Sequence, residues 1–248
     1  MPRIDLNCDL GEGAGQDAAL MPLITSANIA CGAHAGDEAT MRATVALARR
    51  HGVAIGAHPG FADRENFGRR ELALSPKEIM QLVVEQTRAL QRLAAEQGGR
   101  VVHVKPHGAL YNLAARDAVI ARAVAEGVRA CGADLVLFGL AGSASLREAS
   151  RLGLRVASEV FADRTYQADG KLTPRSRPDA LITDEAAAVA QVLRFVRDGR
   201  VRATDGSDVA VRADTVCLHG DGAHAVEFAQ RLRRELDAAG VAVEAIAS

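Results

Sequence analysis

Short apolar, β-branched runs alternate along this chain with longer segments whose apolar residues recur at the helical period. The runs fall at about Ile4–Asn7, Ala27–Ala30, Val53–Ala57, Val101–Lys105, Leu135–Leu140, Arg155–Val160 and Thr215–Leu218 and predict seven strands. Helices are predicted over Glu38–His51, Pro76–Glu96 after the cap candidate Ser75, Asp117–Ala130, Ser143–Arg151, Asp184–Arg197 and Ala223–Ala238. Gly52, Gly98 and Gly240 stand where three of these helices should stop. Alternation of this kind demands parallel strands with right-handed crossovers, in a doubly wound open sheet or a barrel.

The residues that end the runs decide between the two. His34, His58, His107 and His219 each follow a strand segment, and Asp9 and Glu12 follow the first. An open sheet gathers ligands at one switch point, using two or three strand ends, whereas here at least five of seven carry candidate chemistry. A closed parallel α/β barrel of seven strands is therefore expected, TIM-like and one strand short of the common eight, with its site at the C-terminal mouth. Two long connections, Gly60–Leu74 and Phe161–Leu181, are rich in arginine and read as functional loops, and Asp198–Asp214 reads as a small surface hairpin.

At 248 residues and 48% hydrophobic, the chain suits one large core, and a single domain over 1–248 is expected. A formal net charge of −1 with interspersed charges offers no basic stripe, so nucleic acid is not expected as a partner. Neither an apolar stretch of signal-peptide length at the N-terminus nor a membrane span of roughly 18 apolar residues occurs, which predicts a cytoplasmic protein without membrane attachment. Cys8, Cys31, Cys131 and Cys217 form no C-x-x-C pair and read as buried, reduced thiols.

Asp9, Glu12, His34, Asp37, His58, His107, Glu159, His219 and Asp221 would all face the barrel mouth. Carboxylates and imidazoles held together in a partly dry cleft are what proton transfer near neutral pH requires. The same groups suit a divalent metal, with Asp9, His34 and His58 as candidate ligands, although no His-Glu-x-x-His spacing supports it. Arg64, Arg69, Arg70, Arg164, Arg175 and Lys105 can clamp a carboxylate or phosphate, Arg70 and Arg164 being favoured by their neighbours. Tyr111 and Tyr166 follow site motifs closely and suit an orienting hydroxyl or rim packing. His103 lies within its strand and reads as a packed or surface side chain, and His51 closes a helix. No G-x-x-x-x-G-K-[ST] occurs, so an ordinary P-loop is absent.

Asp5-Leu-Asn-Cys-Asp-Leu-Gly-Glu12, Ser26-Ala-Asn-Ile-Ala-Cys-Gly-Ala-His-Ala-Gly-Asp37, Gly56-Ala-His-Pro-Gly-Phe61, Phe67-Gly-Arg-Arg70, Val104-Lys-Pro-His-Gly-Ala-Leu-Tyr-Asn112, Glu159-Val-Phe-Ala-Asp-Arg-Thr-Tyr166 and Cys217-Leu-His-Gly-Asp221 together resemble the LamB/YcsF family, nearly end to end. The resemblance implies a barrel related to the glycoside hydrolase and deacetylase barrels. It also implies action as the A subunit, with B and C subunits, in ATP-dependent opening of 5-oxoproline to L-glutamate, ATP being a co-substrate handled with those partners. Within that chemistry Asp9 and His58 are expected as base and partner, His107 as the acid toward the ring nitrogen, and Glu12, His34 and Asp37 in support. Arg70, Lys105, Tyr111, Glu159, Arg164, His219 and Asp221 are expected around the substrate. Ala33, Glu38 and Gly222-Ala-His224 depart from the usual pattern, but none removes an ionisable group. Two other readings stand beside it: a metal-dependent amidase or deacetylase working alone, and a non-enzymatic subunit that presents a small acid.

Overall fold

The computed structural model describes residues 2–218 and 224–246. Its strands are β1 (Arg3–Leu10), β2 (Ser26–Ala30), β3 (Ala54–His58), β4 (Val101–Val104), β5 (Val136–Leu140), β6 (Arg155–Phe161), β7 (Arg200–Arg202), β8 (Asp208–Ala210), β9 (Thr215–Leu218) and β10 (Ala242–Val243). β1 through β6 pair in sequence order and in parallel, β9 follows β6, and β9 pairs with β1, so seven strands close into a barrel. β7 and β8 form the expected small antiparallel hairpin outside it. β10, which the sequence pattern does not suggest, adds a two-residue parallel pairing to the start of β1.

Helices α1 (Asp17–Leu20), α2 (Glu38–His51), α3 (Pro76–Glu96), α4 (Gly108–Arg116), α5 (Ala118–Cys131), α6 (Ala144–Arg151), α7 (Glu185–Asp198) and α8 (Ala225–Ala238) connect or follow the strands. Their ends follow the local chemistry. Ser75 and Glu78 make a reciprocal capping box at α3, Asp117 and Asp184 accept from the first turns of α5 and α7, and Gly52 ends α2 at φ 68°. α4 escapes sequence reading because it starts on a glycine directly behind His107, with no capping side chain. Among the described residues no helix is long and apolar enough to cross a membrane. Ile4, Leu6, Leu10, Ile29, Ile55, Val83, Leu90, Val124 and Val128 bury into one continuous cluster, each contributing roughly 1.5–3 kcal/mol.

The other face of β1 is polar. Successive strand residues point to opposite sides, so Asp5, Asn7 and Asp9 share one face while Ile4, Leu6, Cys8 and Leu10 share the other. Asp5 accepts from Thr25 Oγ1 at 2.7 Å, from Ser26 Oγ at 2.6 Å and from Thr215 Oγ1, and Asn7 Nδ2 donates to Thr215 Oγ1 at 2.7 Å. Burial nonetheless lifts the Asp5 carboxyl to about 6. Such an interior departs from the branched apolar layers that usually fill a barrel.

Space for it is made at Gly56. A Cβ there would lie 1.9 Å from His103 Nε2, so β3 omits a side chain to seat an imidazole from β4. That ring is fully buried and stacked on Phe138, with centroids 4.3 Å apart. Gly56→Ala should lower the melting temperature by overpacking worth about 1–3 kcal/mol. On a His103→Ala background the penalty should vanish; an equal loss on both backgrounds would show that the ring is not what Gly56 accommodates.

Candidate functional site

Asp9 stands near the end of β1 with Glu12 in the turn beyond it, His34 lies after β2, His58 closes β3, and His107 immediately precedes α4. Glu12 Oε1 is 3.0 Å from His34 Nε2, 3.2 Å from His107 Nδ1 and 3.7 Å from His58 Nε2. His58 Nε2 is in turn 3.0 Å from His107 Nδ1 and 3.3 Å from Asp9 Oδ2. The rings of His34 and His107 stack with centroids 3.7 Å apart, and His58 meets both edge-on.

Two backbone carbonyls assign the protons. Lys105 O lies 2.7 Å from His58 Nδ1 and Phe67 O lies 2.9 Å from His107 Nε2; a carbonyl only accepts, so both outer nitrogens carry hydrogen. In the neutral rings His58 Nε2 and His107 Nδ1 are therefore lone pairs that face each other and two carboxylates. Buried acceptors converge in this way only around a proton or another cation. Burial opposes charge on His58, but Asp9 and then Glu12 more than offset it, and its pKa lies above the ordinary imidazole value. Burial likewise works against Asp9, yet His58 and Lys105 hold its carboxyl well below the usual range. Glu12 is pushed up by burial, but its contacts with His107 and His34 prevail and bring it to about 2. His34 is depressed by burial to about 4, so it is neutral and donates from Nε2 to Glu12.

Glu12, His34, His58 and His107 offer ligand atoms all within 4.8 Å of one another. These four side chains form a cluster able to hold a metal ion. The ligand set differs from the sequence expectation of Asp9, His34 and His58: Glu12 and His107 join the cluster, and Asp9 flanks it through His58. Imidazole nitrogens and a carboxylate oxygen are the donor types that zinc and similar divalent ions take. The carbonyls on the outer nitrogens of His58 and His107 are the partners that orient metal-binding imidazoles.

Lys105 lies beside this group and is almost wholly buried. Its Nζ is 2.9 Å from Asp9 Oδ1, 2.8 Å from Glu159 Oε1, 3.1 Å from Asn7 Oδ1 and 3.2 Å from Cys217 Sγ. Burial disfavours the ammonium, but Asp9 and Glu159 hold its pKa well above the ordinary value. Read from sequence as an anion contact, Lys105 instead has its charge already shared between two internal carboxylates. Glu159 is wholly buried, and Tyr111, whose phenol is pushed far up by burial and then by Glu159, lines the adjoining cavity. Of the four cysteines, three are buried and Cys131 is half-buried, and Cys217 is held as a thiol chiefly by burial despite touching Lys105.

A cavity of about 250 Å³ opens above this floor. Asp9, Glu12, His58, Lys105 and His107 line it together with Tyr111, Phe161, Arg69, Arg164 and Arg175. Arg164 is buried and donates to Thr173 O at 2.7 Å and Ala180 O at 3.3 Å, and burial followed by the charge of Arg175 lowers its pKa. The cavity thus carries carboxylates at one end and guanidinium groups among its walls.

Two expected residues are placed elsewhere. Asp37 caps α2, accepting from Thr40 N and Thr40 Oγ1 at 2.8 Å each, and is exposed. Arg70 points outward, with its side chain 65% exposed and Nε 3.5 Å from Asp63 Oδ2; its neighbour Arg69 reaches the cavity. The cause is the backbone of the Gly60–Leu74 loop. A 3-10 turn over Arg64–Asn66 leads into Phe67 at φ 54°, a conformation costly for a bulky residue, which aims the Phe67 carbonyl at His107 and rotates the arginines that follow. Arg64 donates to the carbonyls of Gly32 and Gly36 and so ties two loops together. Tyr166 donates no chemistry to the cavity: it is fully buried and its hydroxyl accepts from Phe161 N at 2.9 Å. His219 and Asp221 lie outside the described residues.

Residues 4–248 match the profile of the LamB/YcsF family. The chain belongs to this family. It is similar to the A subunit of 5-oxoprolinase from Bordetella pertussis strain Tohama I, at 58% identity with 98% of this chain and 99% of that one covered. The fold of a lactam utilization protein from Thermus thermophilus superposes with a TM-score of 0.94 at 47% identity, over 98% of this chain and 100% of that one. A T48 deacetylase, 15% identical with a TM-score of 0.53 over 98% of this chain and 87% of that one, shares the barrel fold.

Several residues of this LamB/YcsF site escape a reading of the sequence. Asn7, Asn28 and the carbonyl of Phe67 contact Asp9, Lys105 or His107 directly. One signal is available for the first: the strict alternation Ile4-Asp-Leu-Asn-Cys-Asp-Leu10 marks a polar face on β1. Nothing in the pattern marks a backbone carbonyl.

Proposed function

We propose that this chain is the A subunit of an ATP-dependent 5-oxoprolinase, working in the cytoplasm with B and C subunits to open 5-oxo-L-proline to L-glutamate. The observation that carries the reading is the Asp9–His58–His107 constellation on the floor of an arginine-walled cavity, in a chain so similar to relatives bearing that name. A five-membered lactam is a stabilised amide, so opening it needs activation of the carbonyl or strong support for charge that develops in the transition state. In this reading the partner subunits use ATP to phosphorylate the lactam oxygen, and the barrel opens the activated ring.

Water attacks the ring carbon that bears the phosphorylated oxygen as Asp9, with His58 beside it, accepts its proton; the bond from that carbon to nitrogen breaks, His107 delivers a proton to the departing nitrogen, and hydrolysis of the acyl phosphate so formed by a second water releases inorganic phosphate and L-glutamate. Glu12 and His34 hold the two imidazoles in register. Arg69, Arg164 and Arg175 receive the substrate carboxylate or the phosphoryl group, since guanidinium offers fixed bidentate donors. Tyr111 and Lys105 bound the ring from the side, and Glu159 supports Lys105 from beneath the cavity.

The four-donor cluster favours a second reading, a metal-dependent amidase or deacetylase that needs no ATP. Glu12, His34, His58 and His107 would fit a divalent ion, and among the described residues His34 Nδ1 has no hydrogen-bond partner that a shift of the ring proton would disturb. Held by these residues, such an ion would supply Lewis acidity and lower the pKa of a water molecule. Asp9, outside the donor set, remains the base.

Glutamate release from 5-oxoproline, with and without ATP and the two partner subunits, tests both. Release is expected only with all three subunits and ATP. ATP-dependent turnover by this chain alone would sink the division of labour, and metal-dependent turnover without ATP would establish the second reading.

A further inference from the structure

Asn28 is the hub of a buried hydrogen-bond relay that begins at His103 and ends on Asp9. Both Asn28 amide hydrogens are used, on Asn7 Oδ1 at 2.7 Å and on Asp9 Oδ1 at 2.8 Å, and its Oδ1 lies 2.9 Å from His103 Nε2. An amide whose nitrogen faces two acceptors must present its oxygen to His103, so His103 Nε2 is the donor. Burial and then the charge of Lys105 depress the His103 pKa to about 3, leaving a neutral ring with its one proton on Nε2.

Asp9 is thereby made asymmetric. Oδ1 accepts from Asn28 and from Lys105 Nζ, at 2.8 and 2.9 Å, while Oδ2 faces His58 Nε2 at 3.3 Å. One oxygen is held by two donors and the other faces His58, in a residue that lines the cavity. Gly56 leaves the space in which the His103 ring takes this position, since a Cβ there would sit 1.9 Å from the nitrogen that donates.

We infer that His103 and Asn28 are positioning residues of the reaction: the relay from His103 through Asn28 fixes Asp9 Oδ1, so that Oδ2 alone is oriented toward water and His58. The inference rests on Asp9 being the base, which both functional readings share. Partners that orient a reacting group typically contribute 10–100-fold to activity, and loss of orientation lowers the chemical step rather than binding.

The test separates the donor from the ring. His103→Leu keeps apolar bulk against Phe138 and removes the proton; His103→Gln loses the ring but carries an amide N–H of similar reach. In the assembled enzyme with partner subunits and ATP, kcat should fall about 10–100-fold for His103→Leu with KM within about twofold, and His103→Gln should recover most of the loss. Asn28→Ser, which withdraws the donor from Asp9 but leaves a hydroxyl to accept from His103, should lower kcat in the same way and serves if His103→Leu does not fold. Melting temperatures are recorded alongside. Equal activity of the Leu and Gln variants, or loss that follows thermal stability alone, overturns the relay. Asp9→Asn is run in parallel: wild-type turnover in that variant would overturn the base assignment itself, and the relay with it, whereas an inactive Asp9→Asn beside unaffected relay variants overturns the relay only.

Discussion

Asp9→Asn, His58→Ala and His107→Ala should each lower glutamate release by the assembled enzyme by about 10²-fold or more, the usual scale for losing a general acid or base. Each acts on a different contact. Asp9→Asn keeps the shape but replaces the oxygen that faces His58 with a group unable to accept a proton. His58→Ala removes the imidazole that bridges Asp9 at 3.3 Å and His107 at 3.0 Å. His107→Ala removes the link between that pair and the Phe67 carbonyl. His51→Ala, at the exposed end of α2, should leave turnover unchanged. Far-UV circular dichroism and cooperative unfolding of all four variants distinguish lost chemistry from lost structure. If His51→Ala costs as much as the three floor substitutions, the strand-end map of the site is wrong.

That map is legible because parallel strand ends are a geometric consequence of the strand–helix alternation. Once Asp9, His58 and His107 are placed at or just beyond the ends of β1, β3 and β4, closure of the barrel brings them within hydrogen-bonding range whatever the loops do. Periodicity carries no such information into Gly60–Leu74. Arg69 and Arg70 are adjacent and identical, and the left-handed backbone at Phe67 (φ 54°) and Gly68 (φ 62°) that leads into them leaves no trace in the residue pattern. Asp37 misleads for a related reason: a carboxylate one residue before a helix serves equally as a cap or a site residue, and its bonds to Thr40 show which it became. His103 is hidden by its position inside a strand, where its inward direction and the vacancy at Gly56 emerge only from cross-strand register.

Lys105→Met should destabilise the protein by about 3–5 kcal/mol at pH 7, as expected when one partner of a buried ion pair is removed. Methionine matches the stem of the side chain, so the loss reports charge more than volume. Asp9 and the wholly buried Glu159, 2.9 and 2.8 Å from Nζ, would be left without their shared cation. The dependence on pH has a definite sign. In the wild type, Asp9 is held well below its ordinary value, so it contributes stability above an unfolded pKa of about 3.9 that is lost as pH falls further. Without Lys105 the Asp9 carboxyl loses one of the two charges that hold it down, so its folded-state pKa should rise toward the ordinary value. The folded variant then takes up this proton before the wild type does, and its deficit shrinks as pH falls through the raised value. Urea midpoints of both proteins measured from pH 7 down through that value should therefore converge toward the acid end, and Glu159→Gln added to Lys105→Met should recover part of the loss at pH 7. Parallel curves, with no recovery in the double variant, would mean that Lys105 is held by packing rather than by the two carboxylates.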